Sequence, residues 1–206
     1  SHLHSLHRTM WFDMNWFNAS LKLTKPMVTA NQNNNGNLRQ VLAKSKNVSI
    51  DLQVACQADS IPLKAEIHEW LEQAFQASGQ NISRQCNVAV RIVTEGESRK
   101  LNKQFRGQDK ATNVLAFPAT GPDGITDLLE NGIQVLGDLV ICGPLLEQEA
   151  EEQAKNPTDH WGHLLVHGML HLLGYDHDSP SQAIKMETME KRILADRGID
   201  NPYQVR

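Results

Sequence analysis

The chain has 206 residues, with 20 Lys and Arg against 24 Asp and Glu, for a formal net charge of −4. That length suits one ample domain, or a domain of about 150 residues with an extension, and no apolar run approaches the ~20 residues needed to span a bilayer. Cys56, Cys86 and Cys142 are odd in number and widely spaced, which excludes a disulfide framework and a C-x-x-C zinc site and predicts buried thiols in a soluble, cytoplasmic protein.

The charge is divided unevenly. Before Ser49 there are six basic residues (Arg8, Lys22, Lys25, Arg39, Lys44 and Lys46) and one acid, Asp13, a net of +5, whereas the remainder nets −9. Residues 1–47 combine two Trp-Phe pairs with the polar tract NQNNNGN, a composition that predicts a disordered leader. Its basic, acid-poor character also fits an organellar transit peptide. Met10, Met14 and Met27 leave a misassigned start as a third reading. Asp13 and Asn15 interrupt Met10 to Phe17, so that segment fails as a signal-peptide core. The folded domain is expected over residues 48–206.

VSIDLQVAC, from Val48, alternates apolar and polar residues and predicts a first strand. Pro62 opens a helix in which Ile67, Trp70, Leu71, Ala74 and Phe75 recur at helical spacing, and Gly79 ends it. CNVAVRIVT, Cys86 to Thr94, is a second strand. A short helix follows from Glu97 to Gln104, with Leu101 inward and Arg99, Lys100 and Lys103 outward, and Gly107 breaks it. Thr112 to Phe117 is a third strand stopped by Pro118. It is either a plain sheet edge or a rail for an extended substrate. Arg106, on a loop ahead of it, is either a bidentate phosphate clamp or a solvated arginine near Asp109; composition alone favours the second.

After a loop over residues 122–131, VLGDLVICG (Val135 to Gly143) makes a fourth strand with Asp138 near its start. An acid inside so apolar a strand needs a partner: a backbone amide, an arginine or a metal-ligand histidine. LLEQEAEEQAK is an acidic helix with mostly solvated charges. Pro157 separates it from the stretch HWGHLLVHGMLHLLGYDH, His160 to His177. Ser179 to Arg197 closes the chain as an amphipathic helix with Ile184, Met186, Met189, Ile193 and Leu194 on its apolar side. Four strands and five helices predict a single α+β domain with a mixed sheet. The histidine helix is expected to pack on that sheet through Leu165, Val166, Met169, Leu170 and Leu173.

His167 and His171 are four residues apart on one helical face, roughly 5 to 6 Å between Cβ atoms. Gly174 permits the left-handed turn that ends a helix, and His177 returns as a third ligand. Three neutral imidazoles with an open fourth position predict a catalytic zinc site, one Zn2+ per chain, on a helix and its following turn. Gly168 occupies the place of the glutamate base of H-E-x-x-H metalloproteases. His160 and His163 continue the stripe and are expected at the rim of the cleft. Asp176 either orients an imidazole or caps local backbone amides.

HGMLHLLGYDH from His167, FRGQDKATNVLAFP from Phe105 and LGDLVIC from Leu136, in that family's order of motifs, resemble the bacterial YbeY family of rRNA maturation factors over roughly Val48 to Tyr203. The resemblance implies a metalloprotease-like (zincin-like) fold and a zinc-dependent, single-strand-specific endoribonuclease. It further implies a role in maturing the 3′ end of small-subunit rRNA and in late ribosome quality control, with RNA and the ribosome or its proteins as partners. His167, His171 and His177 match the family's zinc ligands, and Arg106 matches its functionally important arginine, which reverses the compositional reading. Asn113 and Ala116 stand where many members have aspartate and serine, so neither is assigned catalysis.

The base is then a hydroxide on the zinc, His163 or Asp138, in that order. Arg99, Lys100, Lys103, Arg106 and Lys110 form a basic strip on an otherwise acidic body, which predicts weak intrinsic RNA binding. Two other readings stand beside the nuclease: a metal-dependent hydrolase of a peptide or small amide, and a non-enzymatic ribosome-assembly module with structural zinc. Gly168 speaks against the first, and three protein ligands instead of four against the second.

Overall fold

The structure, a computed structural model, describes residues 47–80, 85–119 and 132–203. The expectations for the leader before residue 47 and for the 122–131 loop lie outside the described residues. Strand β1 (Val48–Val54) pairs in parallel with β2 (Cys86–Val93). A parallel pair needs a crossover, and helix α1 (Lys64–Ala77) provides it. Its stripe of Ile67, Trp70, Leu71, Ala74 and Phe75 is buried as its spacing requires. Strand β4 (Gln134–Cys142) lies parallel on the other side of β2, and β3 (Val114–Pro118) runs antiparallel along β4. The result is a four-stranded mixed sheet in the order β1-β2-β4-β3, with β1 and β3 at its edges.

The two faces of the sheet differ. Val88, Val90 and Ile92 of β2, Leu139 and Ile141 of β4 and Val114 of β3 point to one side, into the cluster that includes Leu71, Leu165, Met169 and Leu170. Because side chains alternate along a strand, Leu115, Phe117, Asp138 and Val140 belong to the other side. There Phe117 meets Phe105 edge to face, with ring centres 5.1 Å apart. Register with β2 slips by one residue at Leu136, since Asn87 pairs with Val135 but Val88 with Gly137.

Helix α2 spans Glu95–Arg106, longer at both ends than the sequence reading. Thr94 caps it by accepting the Glu97 amide, and Gly107, at φ 69°, ends it in a left-handed conformation. Arg106 is therefore the last residue of a helix rather than part of a loop. Helix α3 (Gly143–Glu152) follows β4 directly. Helix α4 (Pro157–Leu172) starts with Asn156 accepting the Thr158 amide at 2.9 Å and Pro157 in its first turn. Helix α5 (Pro180–Ala195) opens with a capping box between Ser179 and Gln182. Its apolar side holds Met186, Ile193 and Leu194 as expected, but Ile184 is 67% exposed, because it falls outside the stripe that meets the core. Among the described residues no helix is long and apolar enough to cross a membrane. Cys86 and Cys142 are buried cysteines, and Cys56 is half-buried.

Candidate metal centre and its surroundings

Helix α4 carries core on one side and histidines on the other. Leu165, Val166, Met169 and Leu170 are fully buried. Gly168 lies between that core and the ligand stripe, where a Cβ would meet Leu139 Cδ2 at 2.9 Å and Val114 Cγ2 at 3.4 Å. The missing side chain lets the helix approach β4 and β3. A glutamate at this position would enter the sheet.

At the helix end, the Gly174 amide donates to the His171 carbonyl and the Tyr175 amide to the Leu170 carbonyl, both at 3.0 Å. This is a Schellman closure, and Gly174 supplies the left-handed residue at φ 84°. The chain turns back and delivers His177. The Nε2 atoms of His167 and His171 stand 3.2 Å apart, and ligand atoms of His167, His171 and His177 all lie within 4.8 Å of one another. Tetrahedral zinc–nitrogen bonds of about 2.0 to 2.1 Å call for roughly 3.3 Å between nitrogens. The three residues fit one divalent ion.

Burial, and then the neighbouring His167 and His177, push the His171 imidazole down to about 4. It is neutral near pH 7, as a ligand must be. His167 is oriented from behind by Glu190 of α5, whose Oε1 lies 2.7 Å from Nδ1. Burial alone would push the Glu190 carboxyl up. Its hydrogen bonds from His167 and Tyr203 outweigh that and hold it below the usual carboxylate range. Sequence reading missed Glu190. The available signal was an acid set in the apolar stripe of the last helix, four residues after Met186 and three before Ile193. Asp176 caps the turn by accepting the His177 amide at 2.8 Å.

His160 and His163 were expected at the rim, but the structure buries His160 and, although His163 is 14% exposed, shuts in its ring nitrogens. His160 is 5% exposed, with Nε2 3.0 Å from Glu149. Burial would raise the Glu149 carboxyl too, but His160 and Asn113 lower it further. Both ring nitrogens of His163 are shut off from solvent, and burial pushes its imidazole down to about 4. It sits behind His167 and offers no nitrogen to a substrate. Asp138 also leaves the site. Its strand position turns it to the sheet face opposite α4, where burial raises its carboxyl to about 6. Asn113 is engaged structurally, donating to Glu149 at 3.0 Å and accepting the Val114 amide at 2.8 Å.

Arg106 stands close enough to the cluster for its charge to act on His171. Asp109, the partner that a solvated arginine would have taken, is bound instead by Arg99 at 2.8 Å and Lys103 at 3.0 Å. Those contacts hold the Asp109 carboxyl down to about 2. Among the described residues no ion pair engages Arg106, and its exposed guanidinium is free for an anion. A cavity of about 640 Å³ opens at the far end of α4, lined by Lys155, Asp159, His160, His163 and Tyr203 among others. It is distinct from the three-histidine cluster.

Fold and cluster together define an α+β protein with three converging imidazoles on a helix and its returning turn. The family model described as Endoribonuclease YbeY matches residues 53–198. The chain is 51% identical over 147 residues to an Endoribonuclease YbeY of Halorhodospira halophila, covering 71% of this chain and 91% of that protein. It is 44% identical over 154 residues to one of Colwellia psychrerythraea, covering 75% and 96%. A Thermotoga maritima protein solved in solution is similar at 24% identity and a TM-score of 0.42, covering 76% of this chain and 99% of that one. The chain belongs to the endoribonuclease YbeY family.

Proposed function

We propose that this protein is a zinc-dependent, single-strand-specific endoribonuclease of the cytoplasm, with a zincin-like arrangement of helix and turn. Its substrate would be ribosomal RNA at the 3′ end of the small-subunit molecule, and its setting late ribosome quality control in contact with the ribosome. One observation carries the reading: three ring nitrogens lie within 4.8 Å of one another, on a chain of an endoribonuclease family. His167, His171 and His177 would hold the ion. A bound Zn2+ supplies Lewis-acid polarisation of a phosphoryl oxygen and acidifies water.

The remaining chemistry belongs to the chain. Glu190 holds the His167 ring, and the Schellman turn holds His177 in place. Arg106 neutralises the charge that gathers on phosphate oxygens as the phosphodiester is attacked, a contact that strengthens in the transition state. Lys100 and Lys110 add to the local positive field, while the Arg99 and Lys103 charges are partly spent on Asp109. Side-chain packing at Gly168 leaves no room for the glutamate that amide hydrolysis in H-E-x-x-H enzymes employs.

The test is digestion of an unstructured RNA and of casein by the purified chain, before and after chelation and after zinc is restored. RNA should be cut, casein spared, and cleavage lost and regained with the metal. Cleavage that survives complete chelation would overturn the metal dependence, and digestion of casein would overturn the substrate class.

A further inference from the structure

We infer that Glu190, itself held by Tyr203, is the positioning residue that fixes His167 as the anchoring ligand of the cluster. This rests on the metal-site reading above and extends it to residues far along the chain. The Glu190 side chain is 0% exposed. Its Oε1 meets His167 Nδ1 at 2.7 Å, and its Oε2 accepts the Tyr203 hydroxyl. The Tyr203 ring also packs edge to face on His163, with centres 5.5 Å apart. With the proton held on Nδ1 by a carboxylate, His167 can present only the Nε2 lone pair to the cluster. That atom is the one found 3.2 Å from His171 Nε2. Among the described residues His167 is the one ligand of the three with a carboxylate on its second nitrogen.

A packing role alone does not account for this residue. Met186 and Ile193, its neighbours on the same stripe, are 1% and 2% exposed and apolar, and an apolar side chain would fill the position without the desolvation that a carboxylate suffers. The hydrogen bonds to His167 and Tyr203 offset that cost only while both partners are in place. Retention of the ion therefore depends on the C-terminal segment, through Tyr203, as well as on the helix that supplies the ligands.

The test compares wild type, Glu190→Gln and Tyr203→Phe by competition with a chromophoric zinc chelator, alongside 15N NMR of the histidine tautomers in metal-free protein. Glu190→Gln should weaken zinc binding 10- to 100-fold, and Tyr203→Phe should weaken it in the same direction by less. Metal-free wild type should carry the His167 proton on Nδ1. Zinc affinity of Glu190→Gln within twofold of wild type, or a wild-type His167 protonated on Nε2, would overturn the inference. If Glu190→Gln does not fold, Tyr203→Phe and the wild-type tautomer decide. Should wild type bind no zinc, the metal-site reading fails separately, and the tautomer still decides the role of Glu190.

Discussion

One helical stripe on α4 carries four histidines, and its two halves have different fates. His160 is buried and His163 largely so, with their ring nitrogens shut inside the protein, whereas the half-buried His167 and His171 turn their nitrogens toward His177. Both pairs keep to the one stripe, three residues apart in the first half and four in the second. Depth separates them, and depth is set by other elements: Tyr203 covers His163, Glu149 of α3 takes His160, and the turn after Gly174 leaves the far end of the stripe open. A histidine becomes a ligand when the fold leaves its lone pair facing other lone pairs.

The sharpest way to break this comparison is a pair of substitutions. His171→Ala should take zinc from about one per chain to nearly none, because two imidazoles alone seldom hold the metal, while His163→Phe should retain it. Atomic absorption on the two purified variants checks both, and stoichiometric zinc in His171→Ala would remove the ligand assignment. Next in size is Arg106→Ala, which should keep zinc and fold yet lower cleavage 10²- to 10³-fold at saturating RNA. Arg106→Lys should recover part of that, as an ammonium keeps the charge without the bidentate fork. A normal saturated rate with weaker RNA binding would make Arg106 a binding contact only.

Acid sharpens the comparison from the stability side. His163 and His171 titrate near 4 in the fold against an ordinary 6.5, so the unfolded chain takes up protons that the folded chain refuses. Their contribution to stability is fully present above about pH 6.5 and is lost as pH falls toward 4. For the well-buried His163 it is on the order of 3 kcal/mol. Urea unfolding of chelator-treated protein near neutral pH and near pH 5 should show the loss, and His163→Phe should reduce it. The smallest effect belongs to Gly168→Ala, which should cost about 1 to 3 kcal/mol by overpacking against Leu139, measured as a lower unfolding midpoint.

Much of this was legible in the residues. Among the described residues the four strands and five helices were all expected, the first strand from its alternation and most helices from apolar spacing, and HGMLH followed by a glycine turn located the three imidazoles that converge. What the sequence withheld depends on packing between distant elements. The reach of α2 to Arg106 was missed because its ends are set by the Thr94 cap and the Gly107 turn, not by apolar period. Asp138 looked like a candidate until the order of strands showed which sheet face it occupies. His163 and Glu190 acquire their roles from the docking of α5 and Tyr203, which a helical wheel of α4 does not include.

The Schellman turn at Gly174 has a consequence for how the centre is assembled. The three candidate ligands fall within an eleven-residue stretch, His167 to His177, whose turn is already closed by backbone hydrogen bonds from Gly174 to His171 and from Tyr175 to Leu170. An ion added there cross-links a loop that is closed without it, so little chain entropy remains for the ion to remove. Its binding energy goes into retention of the ion itself. The scaffold should therefore stand folded without its metal and take it up late, as a finished receptor takes a ligand.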